Sequence, residues 1–297
     1  MWGITALLLP MAILIGRTVS FAGRFTPEAS PATALQSPSY TDRLPGVTIL
    51  TWNVLYGDET GKRSNNWIER KAAFAEILKD HVDLDFLCIQ EALENQVQFF
   101  DNLLPFHNYV GAGRDDGGTG GEHCPIYYNY DRFELLESDT FWLSDTPNMP
   151  SRTWGSKLPR ICTWARLRKL DSDQVVRVFN THFPLVGHAR IKAATLIAER
   201  IAKLDQNDPL IFAGDLNCGP KSVPRNILRS AGLRNTDAKH NSTYHLFGYG
   251  LVSLDAIMVG SRWLVQDGRV IRDKAFSGYP SDHFGVLVKL RLNVPQT

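Results

Sequence analysis

Cysteine is scarce, neither charge sign dominates, and long apolar runs are missing beyond the first residues. The 4 cysteines (Cys88, Cys124, Cys162 and Cys218) include no C-x-x-C pair. A disulfide-framed mini-protein and a thiolate zinc site are thereby excluded. Lys and Arg number 32 against 31 Asp and Glu, a formal net charge of +1 over 297 residues. That balance excludes a protein holding nucleic acid by bulk charge, but not an enzyme with a local basic groove. Repeats of about 20–50 residues are also absent, which argues against a solenoid or propeller. What is present is an ordinary globular mixture, 43% hydrophobic and 21% charged. Disordered, collagen-like and coiled-coil chains do not have that composition.

The one long apolar run is Trp2 to Gly16, WGITALLLPMAILIG. It is shorter than the roughly 20 residues of a membrane span and suits a signal-peptide core. Ser20-Phe21-Ala22 offers a small-x-small cleavage site, while Arg17 follows the run rather than preceding it. Residues 1–22 are expected to be a signal peptide or an N-terminal membrane anchor. The protein is then secreted, periplasmic or membrane-anchored, and cytoplasmic if the segment is not a signal. Residues 23–45, rich in Pro, Ser, Thr and Ala, read as a flexible linker. Residues 46–293 read as one catalytic-sized domain, expected to act as a monomer.

Within that domain, strand-like and helix-like segments alternate. Val47–Leu55 and Asp85–Gln90 read as strands, and Asn66 caps a predicted helix running to about His81. Pro125–Tyr128, Phe133–Leu143, Ile161–Leu170 and Gln174–Phe183 read as four successive strands of an antiparallel meander. His188–Leu204 reads as a helix; Leu210–Ala213, Leu251–Val259 and Phe284–Leu292 read as strands. The pattern predicts two packed sheets covered by helices. Gly111–Gly121 is glycine-rich but lacks Gly-Lys-Ser/Thr, so it is no P-loop and reads as a mobile loop.

Polar groups sit where the apolar strands end. ILTW runs into Asn53, FLCIQ into Glu91, and VVRVFNT into His182. LIFAG ends in Asp215 and Asn217, VSL in Asp255, and Asp282-His283 precedes the last strand. Strands delivering acids, amides and imidazoles at their ends build a rigid site. Taken singly, each is as well explained by an Asx turn, a helix-end acid or a satisfied core histidine. Asp255 is the exception, because an unpaired charge inside an apolar strand is costly. Together they form an oxygen-rich, thiol-free set suited to a hard cation, Mg²⁺ or Mn²⁺, and hence to phosphoryl chemistry.

The motifs Thr51-Trp52-Asn53, Gln90-Glu91, Asn180-Thr181-His182, Gly214-Asp215-Leu216-Asn217, Leu254-Asp255 and Ser281-Asp282-His283 occur in one order. In these the chain resembles the endonuclease/exonuclease/phosphatase superfamily of divalent-metal phosphohydrolases. The resemblance implies an α/β (α+β) fold, a four-layer α/β/β/α sandwich of two mixed, mainly antiparallel sheets. It implies a metal held by Glu91 with Asn53 and Asp282. Asp215 and Asn217 are then the pair that positions or deprotonates water. His283 oriented by Asp255, and His182, are the phosphate-side imidazoles. In the pancreatic-type DNase branch, the positions of Glu122 and Arg160 carry a histidine's acid partner and a phosphate-contacting arginine. Each histidine is thus expected to hold a carboxylate and to have a raised pKa.

The expected activity is in-line hydrolysis of a phosphoester: nucleic acid, nucleotide, or phosphorylated lipid or small molecule. Asp215 is the first choice of base and the His283–Asp255 pair its rival. Two departures narrow the branch. Leu55 replaces an acid of the abasic endonucleases, and Ser253-Leu254-Asp255-Ala256 lacks the Cys-Asp-Arg run of the 5-phosphatases. Phe141-Trp142-Leu143-Ser144, Thr163-Trp164 and Thr243-Tyr244-His245 look like a bacterial-type metal-dependent hydrolase group not defined by one substrate. Trp142, Trp154, Tyr244, His245 and Phe247 line either a ring-stacking pocket or the core. A secreted sphingomyelinase-like lipid phosphodiesterase is the alternative, although the sequence offers no obvious apolar hairpin. A catalytically silent binding module is the second alternative.

Overall fold

The computed structural model describes residues 46–57, 66–81, 83–236 and 242–293. The expected signal or anchor (1–22) and linker (23–45) lie outside the described residues. Among the described residues no helix is long and apolar enough to cross a membrane.

The strands are β1 (Val47–Asn53), β2 (Phe86–Gln90), β3 (His107–Val110), β4 (Ile126–Asn129), β5 (Phe133–Trp142) and β6 (Ile161–Lys169). They continue with β7 (Val175–His182), β8 (Leu210–Asp215), β9 (Arg234–Asn235), β10 (Asp255–Val259), β11 (Trp263–Ile271) and β12 (Gly285–Leu292). The helices are α1 (Trp67–Leu78), α2 (Glu94–Leu103), α3 (Gly187–Ala202) and α4 (Val223–Ser230). The first sheet has the order β11-β12-β1-β2-β4-β3 and the second β5-β6-β7-β8-β10-β9. Among the described residues only β1–β2 and β7–β8 are parallel; the other pairs are antiparallel.

Side-chain alternation along each strand creates three apolar layers. On β1, Ile49 points between the sheets with Phe86, Val178 and Ile257. Its neighbour Leu50 points outward to join Phe74, Ile77, Val97 and Phe100 of α1 and α2. On the far side Phe179, Phe212 and Met258 meet Ala193, Ala194, Ile197 and Leu228 of α3 and α4. Helix, sheet, sheet and helix therefore stack in the predicted four layers.

The four-strand meander is corrected to three. β5, β6 and β7 are consecutive neighbours, but β4 lies in the first sheet between β2 and β3. The connection 130–132 crosses between sheets, and Phe133 of β5 packs on Phe86 of β2 with ring centroids 4.7 Å apart. The strand expected from Leu251 begins only at Asp255. α2, α4, β3, β9 and β11 were not foreseen. β11 buries only its two end residues and carries an irregularity between Val265 and Asp267, which breaks its alternation.

Candidate active site

Register brings the polar strand ends together. β7 and β8 pair in parallel with His182 opposite Asp215, and antiparallel β10 sets Asp255 opposite Asp215. In the first sheet Asn53 pairs with Gln90, so Glu91 projects one residue beyond β2. Below this rim the sheets are stapled by buried polar groups. Gln90 Nε2 donates to Asn180 Oδ1 at 2.7 Å and to Thr51 Oγ1 at 2.9 Å. Asn180 Nδ2 in turn donates to the Ile89 and Pro125 carbonyls at 2.8 Å.

Asn53 connects the two acid-bearing sheets. Its Nδ2 donates to Glu91 Oε1 at 2.9 Å and to Asp215 Oδ2 at 3.0 Å. Its Oδ1 accepts the Leu55 N–H at 3.0 Å. Asn53 thus supports both acids with its nitrogen, while its oxygen caps the following turn. Glu91 itself has φ of 64°, an uncommon value for a residue with a Cβ. Its Oε2 accepts the Tyr56 N–H at 3.2 Å, which holds the carboxylate toward the site.

The His283–Asp255 pair forms as expected, with Nδ1 to Oδ2 2.8 Å. His283 Nε2 lies 3.9 Å from Asp215 Oδ2. Burial opposes the imidazolium, but Asp255 above all, then Asp215 and Asp282, hold its pKa up to about 10. Burial, with Asp255 adding to it, pushes the Asp215 carboxyl up to about 6. Asn217, at φ 48°, donates its N–H to Asp215 Oδ1 and its side-chain nitrogen to the Phe183 carbonyl, both at 2.9 Å. It therefore fixes Asp215.

The second dyad is adjacent but not hydrogen-bonded. Glu122 Oε2 is 4.0 Å from His182 Nδ1, beyond hydrogen-bond range. Arg160 Nη1 takes that place, 2.7 Å from Nδ1. A guanidinium can only donate, so Nδ1 accepts and the ring proton sits on Nε2, 3.5 Å from Asp215 Oδ2. Burial and then the Arg160, His283 and Arg114 cations hold the His182 pKa well below its ordinary value, opposite to the expected rise. Glu122 is engaged by Arg114 Nη1 and lies 3.5 Å from Arg160 Nη1. Burial, then Glu91, raises the Glu122 carboxyl, with the two arginines opposing.

Asp282 lies at the turn before His283, bonded to Ser281 Oγ at 3.4 Å. Burial raises its carboxyl, and Glu91 adds to the rise. Donor atoms of Glu91, His182 and Asp215 lie within 4.8 Å of one another, as do those of Asp215, Asp255 and His283. Desolvated carboxylates that raise one another's pKa fit a divalent cation, which relieves that repulsion.

The aromatics divide. Trp142 is buried and donates Nε1 to the Arg114 carbonyl at 2.6 Å, and His245 is buried against Phe284 at 3.7 Å. Trp154 packs on the outer core and donates to Asp145. Tyr244 alone among them meets the site, its ring 4.9 Å from that of His283. Beyond Tyr244 the structure exposes apolar side chains that the sequence did not single out: Leu246, Tyr249, Leu251 and Val252, with Phe276 on the adjoining turn. The two loops touch, His245 lying 4.7 Å from Tyr279.

The family model of the endonuclease/exonuclease/phosphatase family matches residues 50–283. The chain belongs to that family. A mannosyl-6-phosphatase of Bacteroides thetaiotaomicron is 30% identical, with TM-score 0.77, covering 82% of this chain and 99% of that one. An endonuclease/exonuclease/phosphatase of Bacteroides vulgatus is likewise 30% identical, with TM-score 0.78, covering 84% and 100%. A protein of Acanthamoeba polyphaga mimivirus is 28% identical over 184 residues, 59% of this chain and 68% of that protein. The matching segment spans only 18% and 38% of two further curated relatives.

Members of the endonuclease/exonuclease/phosphatase family are phosphoric ester hydrolases. Two arginines of this member's site escaped the sequence reading. Arg70 ties the turn after β1 to the loop before Asp282, donating to Val54, Leu55 and Pro280 carbonyls at 2.6, 2.7 and 2.9 Å. Its signal was legible: an arginine on the apolar face of α1, between Trp67 and Phe74. Arg114 had no such signal, and its loop is tied by hydrogen bonds. Asp116 Oδ1 accepts the Gly118 and Gly120 N–H groups at 2.7 and 2.9 Å.

Proposed function

We propose that this protein hydrolyses phosphoesters with the aid of Mg²⁺ or Mn²⁺, by in-line attack of a water positioned at Asp215. The observation that carries the reading is the convergence of Glu91, His182, Asp215, Asp255 and His283 from both sheets on one buried point. Glu91 and Asp282 would hold the cation, with Asp215 bordering it. When bound, it neutralises charge on the phosphoryl and leaving oxygens.

The protein's own groups supply the rest. Asp215, raised to about 6, is a carboxylate basic enough to take a proton from water near neutrality. Asn53 and Asn217 hold it in place. His283 is held as a cation by Asp255 and so serves as donor rather than base. His182 presents Nε2–H, and Arg160 adds a fixed positive charge.

A phosphomonoester on a compact polar group is favoured by the likeness to the mannosyl-6-phosphatase over nearly its whole length. A lipid phosphodiesterase is the second reading, favoured by the exposed Tyr249, Leu251 and Phe276 beside the site. Secretion or membrane anchoring through residues 1–22 would suit either. The deciding assay offers sugar phosphates, oligonucleotides and sphingomyelin vesicles, with Mg²⁺, Mn²⁺ or excess chelator. Metal-dependent phosphate release from a sugar phosphate is expected. Full activity in chelator sinks the metal role. Cleavage of sphingomyelin alone selects the second reading, and no turnover of any substrate leaves the binding-module alternative.

A further inference from the structure

We infer that Arg225 is a positioning residue for the acids on the water side of the site, as Arg70 is for those on the cation side: each buried guanidinium locks the turn after one strand to the chain just ahead of an acid on that strand's antiparallel neighbour. The catalytic half of this inference rests on the phosphoester reading; the structural half does not.

The two clamps are built alike. Arg70 lies on the buried face of α1 with Trp67 and Phe74, and Arg225 on the buried face of α4 with Pro224 and Leu228. Arg225 Nε donates to the Cys218 carbonyl at 3.1 Å, in the turn after β8. Its Nη2 donates to the Leu254 carbonyl at 2.7 Å, one residue ahead of Asp255 on β10. Arg70 Nη2 donates to the Leu55 carbonyl at 2.7 Å, in the turn after β1, and Nη1 to the Pro280 carbonyl at 2.9 Å, two residues ahead of Asp282. β10 is antiparallel to β8, and β12 to β1. Carbonyls in such turns fall outside the sheet ladder and need donors from elsewhere once buried. One planar guanidinium carries enough N–H groups to serve two turns.

What each clamp holds differs. Beside Cys218, the Asn217 N–H donates to Asp215 Oδ1 at 2.9 Å, and the Leu254 carbonyl also accepts the Leu216 N–H at 3.1 Å. Arg225 therefore sets the spacing between Asp215, the proposed base, and Asp255, which carries His283. In the turn held by Arg70, the Leu55 N–H donates to Asn53 Oδ1 at 3.0 Å and the Tyr56 N–H to Glu91 Oε2 at 3.2 Å. Ser281, next to Pro280, donates its hydroxyl to the Asn53 carbonyl at 2.6 Å. Arg70 therefore sets the spacing between Glu91 and Asp282, the proposed cation pair. Charge points the same way. Burial lowers both guanidinium pKa values; Asp282 and then Glu91 oppose this at Arg70, and Cys218, then Asp255 and Asp215, oppose it at Arg225. Lysine would keep the charge but not the clamp, because its donors share one nitrogen.

The test combines site-resolved amide hydrogen exchange on the full chain in chelator, Mn²⁺ binding followed by EPR, and kinetics on a sugar phosphate in saturating Mn²⁺. Arg225→Lys should speed exchange of the Leu216 and Asn217 amides by about 10-fold or more and leave the Leu55 amide unchanged. It should lower kcat by about 10–100-fold, with KM and Mn²⁺ affinity each changed by less than about threefold. Arg70→Lys should do the reverse, with faster exchange at Leu55 and Mn²⁺ affinity about 10–100-fold weaker. Arg177→Lys is the control. Arg177 is buried opposite Leu210, at the far end of β7 and β8, and donates to Asp208 at 2.7 Å. Its loss should lower the melting temperature without moving exchange at either turn. If Arg225→Lys does not fold, Arg225→Ala prepared with free guanidinium ion well below denaturing concentration takes its place, and removal of the ion is the perturbation. Unchanged exchange at Leu216 and Asn217 in the Arg225 variant, or a loss of Mn²⁺ affinity equal to that of Arg70→Lys, overturns the inference. Full kcat despite faster exchange at those amides overturns its catalytic half. No turnover by the wild type counts against the phosphoester reading, while exchange and Mn²⁺ binding still decide the clamps.

Discussion

Asp255 and Asp215 are direct cross-strand partners on β10 and β8, two buried carboxylates sharing one histidine. Like charges set opposite each other on a sheet are destabilising, so this pairing serves the site at the expense of the fold. Asp215 bears that cost: burial first and Asp255 second push its carboxyl up to about 6 from an ordinary 3.8.

The sign follows from proton counting. Between pH 3.8 and about 6 the folded protein holds the Asp215 proton more tightly than the unfolded chain. Stability from this group therefore falls as pH rises through that window. Asp215→Asn should remove the slope and give a higher melting temperature than wild type at pH 7 in chelator. It should also lower kcat by roughly 10²–10⁴-fold, as loss of a general base does. Thermal melts across pH, paired with turnover, check both; a variant less stable than wild type at pH 7 contradicts the first.

Glu91 offers a separable test of metal and strain. Its φ of 64° suits glycine better than any residue with a Cβ. Glu91→Ala should abolish the rise in melting temperature that Mg²⁺ or Mn²⁺ gives the wild type. Glu91→Gly should do the same yet be more stable than Glu91→Ala by about 1 kcal/mol. Equal stability of the two variants would show that the backbone is not strained.

The site was legible wherever an apolar run ended in a polar residue. Val47–Asn53, Phe86–Gln90 and Leu210–Asp215 are fully or nearly fully buried strands, so the acid or amide at each end had to face something other than solvent. The layered fold followed from the same runs. The place of β4 did not, because its pairing with Cys88 and Tyr109 across long sequence separations leaves no local mark. Nor did the charge of His182. A nearby carboxylate predicts a raised pKa only for a ring that is not fully buried and has no guanidinium closer; His182 is buried and Arg160 stands closer. Arg114 was hidden in a loop whose glycines advertise flexibility, while their close main-chain contacts produce the opposite.

The inter-sheet staple should be costly to cut. Gln90→Leu leaves Asn180 Oδ1 and Thr51 Oγ1, both buried, without their donor. Each unsatisfied buried group costs about 1–3 kcal/mol, so a loss of roughly 2–6 kcal/mol is expected from urea unfolding. A loss below about 1 kcal/mol would mean that water replaces the amide.

His245 makes the last prediction. Its ring is stacked on Phe284 at 3.7 Å and edge-on to Tyr279 at 4.7 Å. Nδ1 accepts the Gly248 N–H at 3.1 Å, so the proton of the neutral ring is on Nε2, which is buried and makes no well-formed hydrogen bond among the described residues. Burial, and then the His283 cation, push its pKa down to about 4 from an ordinary 6.5. Between those values the unfolded chain binds the proton that the folded protein refuses. Stability from this group is therefore complete above pH 6.5 and lost as pH falls toward 4. His245→Phe keeps the stacking and cannot titrate. Relative to wild type, its melting temperature should fall less between pH 7 and pH 4.5, even if it starts lower for want of the Gly248 contact. Parallel melting curves for the two proteins over that range would show that His245 is already free to take up a proton in the folded state.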